Sequence, residues 1–140
     1  MATDSKTKFL ASGSWDKSAC IYDLKSEKII FKIHGHTESV NDVHFLRPPL
    51  KGGKICLLTA SSDRTITLWD ISEEVQNYGI QSPLQIQTFL GHQDCVRSLM
   101  LDSHQNGFYS VSNDQSIYYW KLEIRICGGK TFFKFKNIKF

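Results

Sequence analysis

Long apolar runs are missing from this sequence. None approaches the ~18 residues that a membrane-spanning helix needs, and the N-terminal MATDSKTK lacks the apolar core of a secretion signal. No membrane partner is therefore expected. Paired cysteines are missing as well: Cys20, Cys56, Cys95 and Cys127 are more than thirty residues apart, with no CxxC. Three of them sit inside apolar, strand-like runs, where a free thiol behaves as a small core residue. That usage fits a reducing compartment, the cytosol or nucleus. Helical periodicity of useful length is absent, as are the phosphate-loop pattern GxxxxGK[ST] and the nucleophile elbow GxSxG. Gly52-Gly53-Lys54 thus reads as a hairpin turn, and no cofactor is expected.

Cationic charge is also scarce where a nucleic-acid footprint would need it. The net charge of +3 arises in the last twenty residues. There Lys121, Arg125, Lys130, Lys134, Lys136 and Lys139 face only Glu123, whereas residues 1–120 carry 11 basic and 13 acidic side chains. A nucleic-acid partner would call for positive charge spread over one face of the folded part, so none is expected.

What the sequence does have is a repeat. LASGSWDKSACIYDL (10–24), LLTASSDRTITLWDI (57–71) and FYSVSNDQSIYYWKL (108–122) align. Each places an Asp six residues before an aromatic: Asp16 and Tyr22, Asp63 and Trp69, Asp114 and Trp120. Each also carries a hydroxyl four residues before that Asp: Ser12, Thr59 and Ser110. Gly35-His36 and Gly91-His92 precede the second and third copies. This Gly-His…Trp-Asp pattern is the signature of WD40 propeller blades.

Runs such as Ser39–Leu46, Ile55–Ala60, Thr65–Asp70 and Leu84–Phe89 are apolar or alternating, rich in β-branched and aromatic residues, and bounded by turn formers. The fold class expected is all-β: a partial WD40 β-propeller of about two and a half four-stranded antiparallel blades. One domain is expected over 1–122, with blade repeats near 8–33, 37–89 and 93–122. The first blade shows strands b, c and d only. Residues 72–82 read as a surface excursion between strands c and d. Residues 123–140 read as a basic tail outside the repeat, a read-through of a truncated chain.

His36, Thr59 and Asp63, and again His92, Ser110 and Asp114, have the residue types of a hydrolase triad. A triad occurs once, with an exposed nucleophile and an oxyanion hole. A set that recurs with the repeat points to architecture: a relay in which the Asp holds the His, and the hydroxyl links the His to the Trp indole. Ser12, Asp16 and Tyr22 are the first blade's version. His34, His36, His44 and Cys56 match no metal-ligand spacing, so no metal is expected. The chain therefore reads as a binding module and not an enzyme.

Its binding face should be the rim formed by the d–a loops and b–c turns, near the propeller channel. Trp15, Ser62 and Asn113 precede the turn aspartates. Ser39 and Asn41, then Cys95 and Arg97, lie three and five residues after each loop His, on one side of a strand. Trp15 and Arg97 are the residue types most enriched at binding hot spots.

GSWDKSA (13–19), LTASSDRTITLW (58–69), FLGHQDCVRSL (89–99) and SNDQSIYYW (112–120) together resemble successive blades of the phospholipase A2-activating, Doa-type family of ubiquitin-binding propeller proteins. The resemblance covers about residues 9–122. It implies a ubiquitin-binding adaptor in ubiquitin-dependent protein degradation or sorting. It also implies recruitment of a AAA ATPase, valosin-containing protein, through downstream domains that are not in this sequence. Tyr22 in place of Trp, the longer 72–82 insertion and the loss of pattern after Leu122 depart from that family. The alternative is a WD-repeat scaffold of another complex, such as one of ribosome assembly or RNA processing.

Overall fold

The computed structural model describes residues 1–3, 9–47, 55–72, 83–128 and 130–140. The 73–82 part of the expected excursion and the Gly52-Gly53-Lys54 turn lie outside them. The described residues contain strands and no helix. The strands are β1 (Ala2–Thr3), β2 (Phe9–Gly13), β3 (Ser18–Asp23), β4 (Lys28–His34), β5 (Val40–Leu46), β6 (Cys56–Ser61), β7 (Ile66–Asp70), β8 (Leu84–Phe89), β9 (Val96–Leu101), β10 (Gly107–Ser112), β11 (Ile117–Cys127) and β12 (Lys130–Lys139). They form three antiparallel sheets in chain order: β1–β4, β5–β8 and β9–β12. Each sheet is one propeller blade.

Two pieces exceed the two and a half blades read from sequence. β1 supplies a short innermost strand to the first blade, pairing Ala2 with Ala11 and Thr3 with Leu10. The segment 123–140, read as a tail outside the repeat, instead extends β11 and forms β12, paired in register from Tyr118↔Lys139 to Cys127↔Lys130. The physical reason is alternation: Phe135 turns inward while Lys134 and Lys136 stay exposed, the period of a half-buried strand. The Phe135 ring meets Phe89 at a centroid distance of 4.9 Å.

The core is the pair of interfaces between blades. Ala11, Ile21, Phe31 and Ile33 of the first blade pack on Val43, Phe45, Leu57 and Trp69 of the second. Leu58, Ile66, Leu68 and Phe89 of the second pack on Phe108, Tyr118 and Trp120 of the third. Every residue of β6 and β7 is buried, because both faces of the middle blade are covered. Each Leu or Ile so placed contributes roughly 1.5–3 kcal/mol.

The three b–c turns share one geometry. Ser14, Ser61 and Ser112 each donate a backbone N–H to the carbonyl four residues on, that of Ser18, Thr65 and Ser116. The residue after each turn Asp, Lys17, Arg64 or Gln115, has φ near +70°: 72°, 74° and 65°. A three-residue loop closing a hairpin needs that left-handed third position. It leaves Trp15, Ser62 and Asn113 at equivalent places on the tips.

Candidate functional site: the blade relays and the turn rim

In the second blade, His36 Nδ1 lies 2.8 Å from Asp63 Oδ2 and His36 Nε2 lies 2.7 Å from Thr59 Oγ1. The Trp69 indole N–H donates to the same Thr59 oxygen at 2.9 Å. The third blade repeats this: His92 Nδ1 to Asp114 Oδ2 at 3.1 Å, His92 Nε2 to Ser110 Oγ at 2.7 Å, and Trp120 Nε1 to Ser110 Oγ at 2.8 Å. An indole N–H only donates and a carboxylate only accepts. With a neutral imidazole the protons therefore run one way, Trp to hydroxyl to His to Asp.

Each turn Asp also works locally. Asp63 Oδ1 accepts the Thr65 N–H at 2.9 Å and the Thr65 hydroxyl at 2.6 Å, while Oδ2 takes the Thr37 N–H at 3.2 Å besides the His. Asp114 does the same with the N–H and hydroxyl of Ser116 and the N–H of Gln93. Burial pushes both carboxyls up, but these bonds, led by those from Thr65 and Ser116, hold them below the usual carboxylate range. The relay thus ties the d–a loop, the b–c turn and strands b and c into one unit.

The geometry resembles a catalytic triad, and burial rules against that use. Thr59 and Ser110 are both 0% exposed, and each oxygen is already engaged by an indole. A hydroxyl sealed from solvent has no path to a substrate.

Ser12, Asp16 and Tyr22 do not form the relay. Asp16 caps its own turn through the Ser18 N–H at 3.0 Å, but its Oδ2 receives Lys32 Nζ at 3.3 Å where the other blades have a histidine. Ser12 and Tyr22 are half-buried and make no side-chain hydrogen bond among the described residues. Hydrogen bonds from Ser18 above all hold the Asp16 carboxyl well below its ordinary range.

On the rim, Ser39, Asn41 and Ser62 form one cluster. Ser39 Oγ and Ser62 Oγ are 2.9 Å apart, and Asn41 Nδ2 donates to Ser62 Oγ at 3.0 Å. Cys95 is a free thiol that reaches the Ser62 carbonyl at 3.5 Å. Arg97 Nε donates to Asn113 Oδ1 at 2.9 Å. Trp15 is 90% exposed, which excludes its burial between the described blades. Trp15 and Arg97 share the rim but belong to the first and third blades, with the Ser39–Asn41–Ser62 cluster of the second blade between them. Sequence reasoning missed Asp42, whose Oδ2 accepts the Leu99 N–H at 2.8 Å and the Ser98 hydroxyl at 3.0 Å across the blade interface. No spacing rule pointed to it.

Comparison with known proteins agrees with this geometry. The family described as WD domain, G-beta repeat, matches residues 1–23, 27–70 and 84–121. The chain belongs to this family. It is 34% identical over 126 residues to nuclear distribution protein PAC1 of Arthroderma otae, covering 84% of this chain and 25% of that protein. It is 27% identical over 116 residues to WD repeat-containing protein 37 of Mus musculus, covering 83% of this chain and 21% of that protein. The solved structures of U3-55K and of the RRP9 WD40 repeats each superpose with a TM-score of 0.67 at 26% identity, over 95% of this chain and 35% of theirs. This WD-repeat chain thus spans about a quarter of the length of the curated relatives it matches. Neither relay is specific to one WD protein, because both consist of the residues that define the repeat.

Proposed function

We propose that this WD-repeat chain is part of a non-catalytic, protein-binding scaffold, and that its turn rim holds a small folded partner, ubiquitin. The observation that carries the reading is Trp15. Its indole stands 90% exposed at the tip of a turn and is buried against none of the described residues. The turn beneath it is fixed by Asp16 through the Ser18 N–H and hydroxyl, so the ring is presented at low conformational cost. Farther along the rim, Asn113 holds Arg97 by its Nε and leaves the guanidinium nitrogens beyond it to face a partner. An indole and a guanidinium on one rim suit a partner with an apolar patch edged by acceptors.

Ubiquitin is the partner implied by the resemblance of residues 13–19, 58–69, 89–99 and 112–120 to the Doa-type family; a cytosolic or nuclear setting goes with that reading and is in keeping with the free thiols of Cys20 and Cys95. The test is a titration of labelled ubiquitin with the full-length protein, followed by NMR. Shifts saturating at micromolar to sub-millimolar protein support the proposal. No shifts at millimolar protein would remove ubiquitin and leave a WD scaffold of another complex, such as one of ribosome assembly or RNA processing.

A further inference from the structure

Arg97 has no partner in the ladder between β9 and β10. Ser98 pairs with Val111 and Val96 pairs with Ser112, so β9 spends one extra residue there, and that residue is Arg97. A bulge of this kind bends its strand and re-aims the side chain it carries. It also gives up a rung of sheet hydrogen bonds, so something else has to fix its shape.

The residues flanking the bulge are held from the neighbouring blade. Asn41 Nδ2 donates to the Val96 carbonyl at 2.8 Å, immediately before Arg97. Asp42 Oδ2 accepts the Ser98 hydroxyl at 3.0 Å and the Leu99 N–H at 2.8 Å, immediately after it. Two consecutive side chains of β5 thus grip β9 on both sides of Arg97. Asn41 is itself a bulge residue: Val40 pairs with Ser61 and Asp42 with Ala60, skipping it. The second bulge turns Asn41 out of its own sheet and toward Val96. Asp42 is kept in its charged, accepting form: burial pushes its carboxyl up, but His44, the Leu99 amide and Ser98 outweigh this and hold it below its ordinary value. On the other side, Asn113 fixes Arg97 Nε, and Asn113 donates its own backbone N–H to the Cys95 carbonyl at 3.0 Å.

We infer that Asn41 and Asp42 are positioning residues for Arg97: by clamping the β9 bulge from the second blade they set the direction in which the third blade presents its rim cation. The role deepens the rim reading above and rests on it for its consequence, but the clamp itself is tested without any ligand. Its effect is to make the rim one surface across two blades, since Arg97 is aimed by residues of its neighbour.

The experiment follows the Arg97 Nε–H in nitrogen-15-labelled full-length protein, the signal being assigned as the one lost in Arg97→Lys. Held by Asn113, this proton exchanges slowly with water in the wild type, and Asn113→Ala removes that protection. Asn41→Ala and Asp42→Ala should each speed its exchange about tenfold or more through the loosened bulge, with the Trp69 and Trp120 indole signals unmoved. Asp42→Asn, which keeps an acceptor oxygen for the Leu99 amide, should restore most of the protection. Lys25→Ala, in the exposed β3–β4 turn and remote from β5 and β9, should change nothing. If alanine at 41 or 42 disperses the indole signals, Ser98→Ala removes one clamp contact in an intact fold and should speed exchange about threefold. Wild-type exchange of the Arg97 Nε–H in both folded alanine variants, or in Ser98→Ala where those do not fold, overturns the inference. Such a result would leave the ubiquitin titration unaffected.

Discussion

His92 and Trp120 meet on a single oxygen: the imidazole Nε2 and the indole N–H lie 2.7 and 2.8 Å from Ser110 Oγ. His92 comes from the loop before β9 and Trp120 from β11, so the hydroxyl of β10 joins parts of the blade that are far apart in sequence. Removing it strands two buried polar groups at once. Ser110→Ala should cost about 1–3 kcal/mol or somewhat more, read as a lower urea midpoint with an unchanged slope. Thr59→Val should do the same through His36 and Trp69. A Ser110→Ala protein as stable as the wild type would mean that the relay contributes nothing net.

The turn aspartates impose a pH dependence. Asp63 and Asp114 have folded-state pKa values below their unfolded ones, so each contributes stability that is fully present above about pH 4 and is lost as pH falls through the lower folded value. Stability should decline steadily below pH 4, and Asp63→Asn should flatten that decline while lowering stability at neutral pH. A urea midpoint in Asp63→Asn with the same acid dependence as the wild type would assign the acid sensitivity elsewhere.

Gly35 is a packing requirement. A Cβ there would meet Trp69 Cη2 at 2.6 Å, against an indole buried in the first interface and tied to Thr59. Gly35→Ala must push that ring, so it should destabilise by about 1–3 kcal/mol and shift the Trp69 indole N–H signal. The same substitution at Gly128, with open space around it but φ at +58°, should cost less and leave both indoles in place.

The third blade has an apolar face that no described residue covers. Tyr109, Val111, Ile117, Tyr119 and Ile138 lie on the face of β10–β12 opposite the second blade. There Val111, Ile117 and Ile138 are 41%, 43% and 44% exposed, whereas Leu58, Ala60, Ile66 and Leu68 at corresponding places in the second blade are buried. The 140-residue chain on its own should self-associate through such faces, seen as species larger than 16.0 kDa in light scattering. A monomer with a cooperative melt would refute this.

How far the fold could be read from the sequence follows from what each feature depends on. The relays were legible because they need fixed residue types at fixed spacing, and His36, Thr59, Asp63 and Trp69 recur as His92, Ser110, Asp114 and Trp120. β1 was not, since Ala2–Thr3 is two residues with no apolar pattern of its own. β12 was hidden because no Gly-His follows it in this sequence, whereas Gly35-His36 and Gly91-His92 follow β4 and β8. Its only signal was the alternation of Phe135 with Lys134 and Lys136. The Arg97 bulge was invisible for a deeper reason: an offset of one residue exists only between two strands, and a single strand's sequence does not record it. The sequence put Trp15 beside Arg97, and it did not show that the Ser39, Asn41 and Ser62 of the second blade lie between the two blades that carry them.

That separation shapes the last prediction. Because the two side chains are not in contact, each should act on a rim partner on its own, and their losses should add within a few tenths of a kcal/mol. Trp15→Ala should weaken ubiquitin binding by ~2 kcal/mol, about thirtyfold. It should not unfold the protein, since a ring that is 90% exposed supports nothing beneath it. Arg97→Ala should cost ~1 kcal/mol, roughly fivefold, and show mainly as a loss of salt sensitivity in the association rate. Lys25→Ala, in the exposed β3–β4 turn at the other end of the first blade, should change neither. NMR titration of labelled ubiquitin against the five full-length proteins (wild type, the three single variants and the Trp15→Ala, Arg97→Ala double variant) gives the affinities, and stopped-flow mixing at two salt concentrations gives the rates. A folded Trp15→Ala that binds as tightly as the wild type would move the site off this rim. A double variant no weaker than Trp15→Ala alone would show that Arg97 faces solvent in the complex as it does in the free protein.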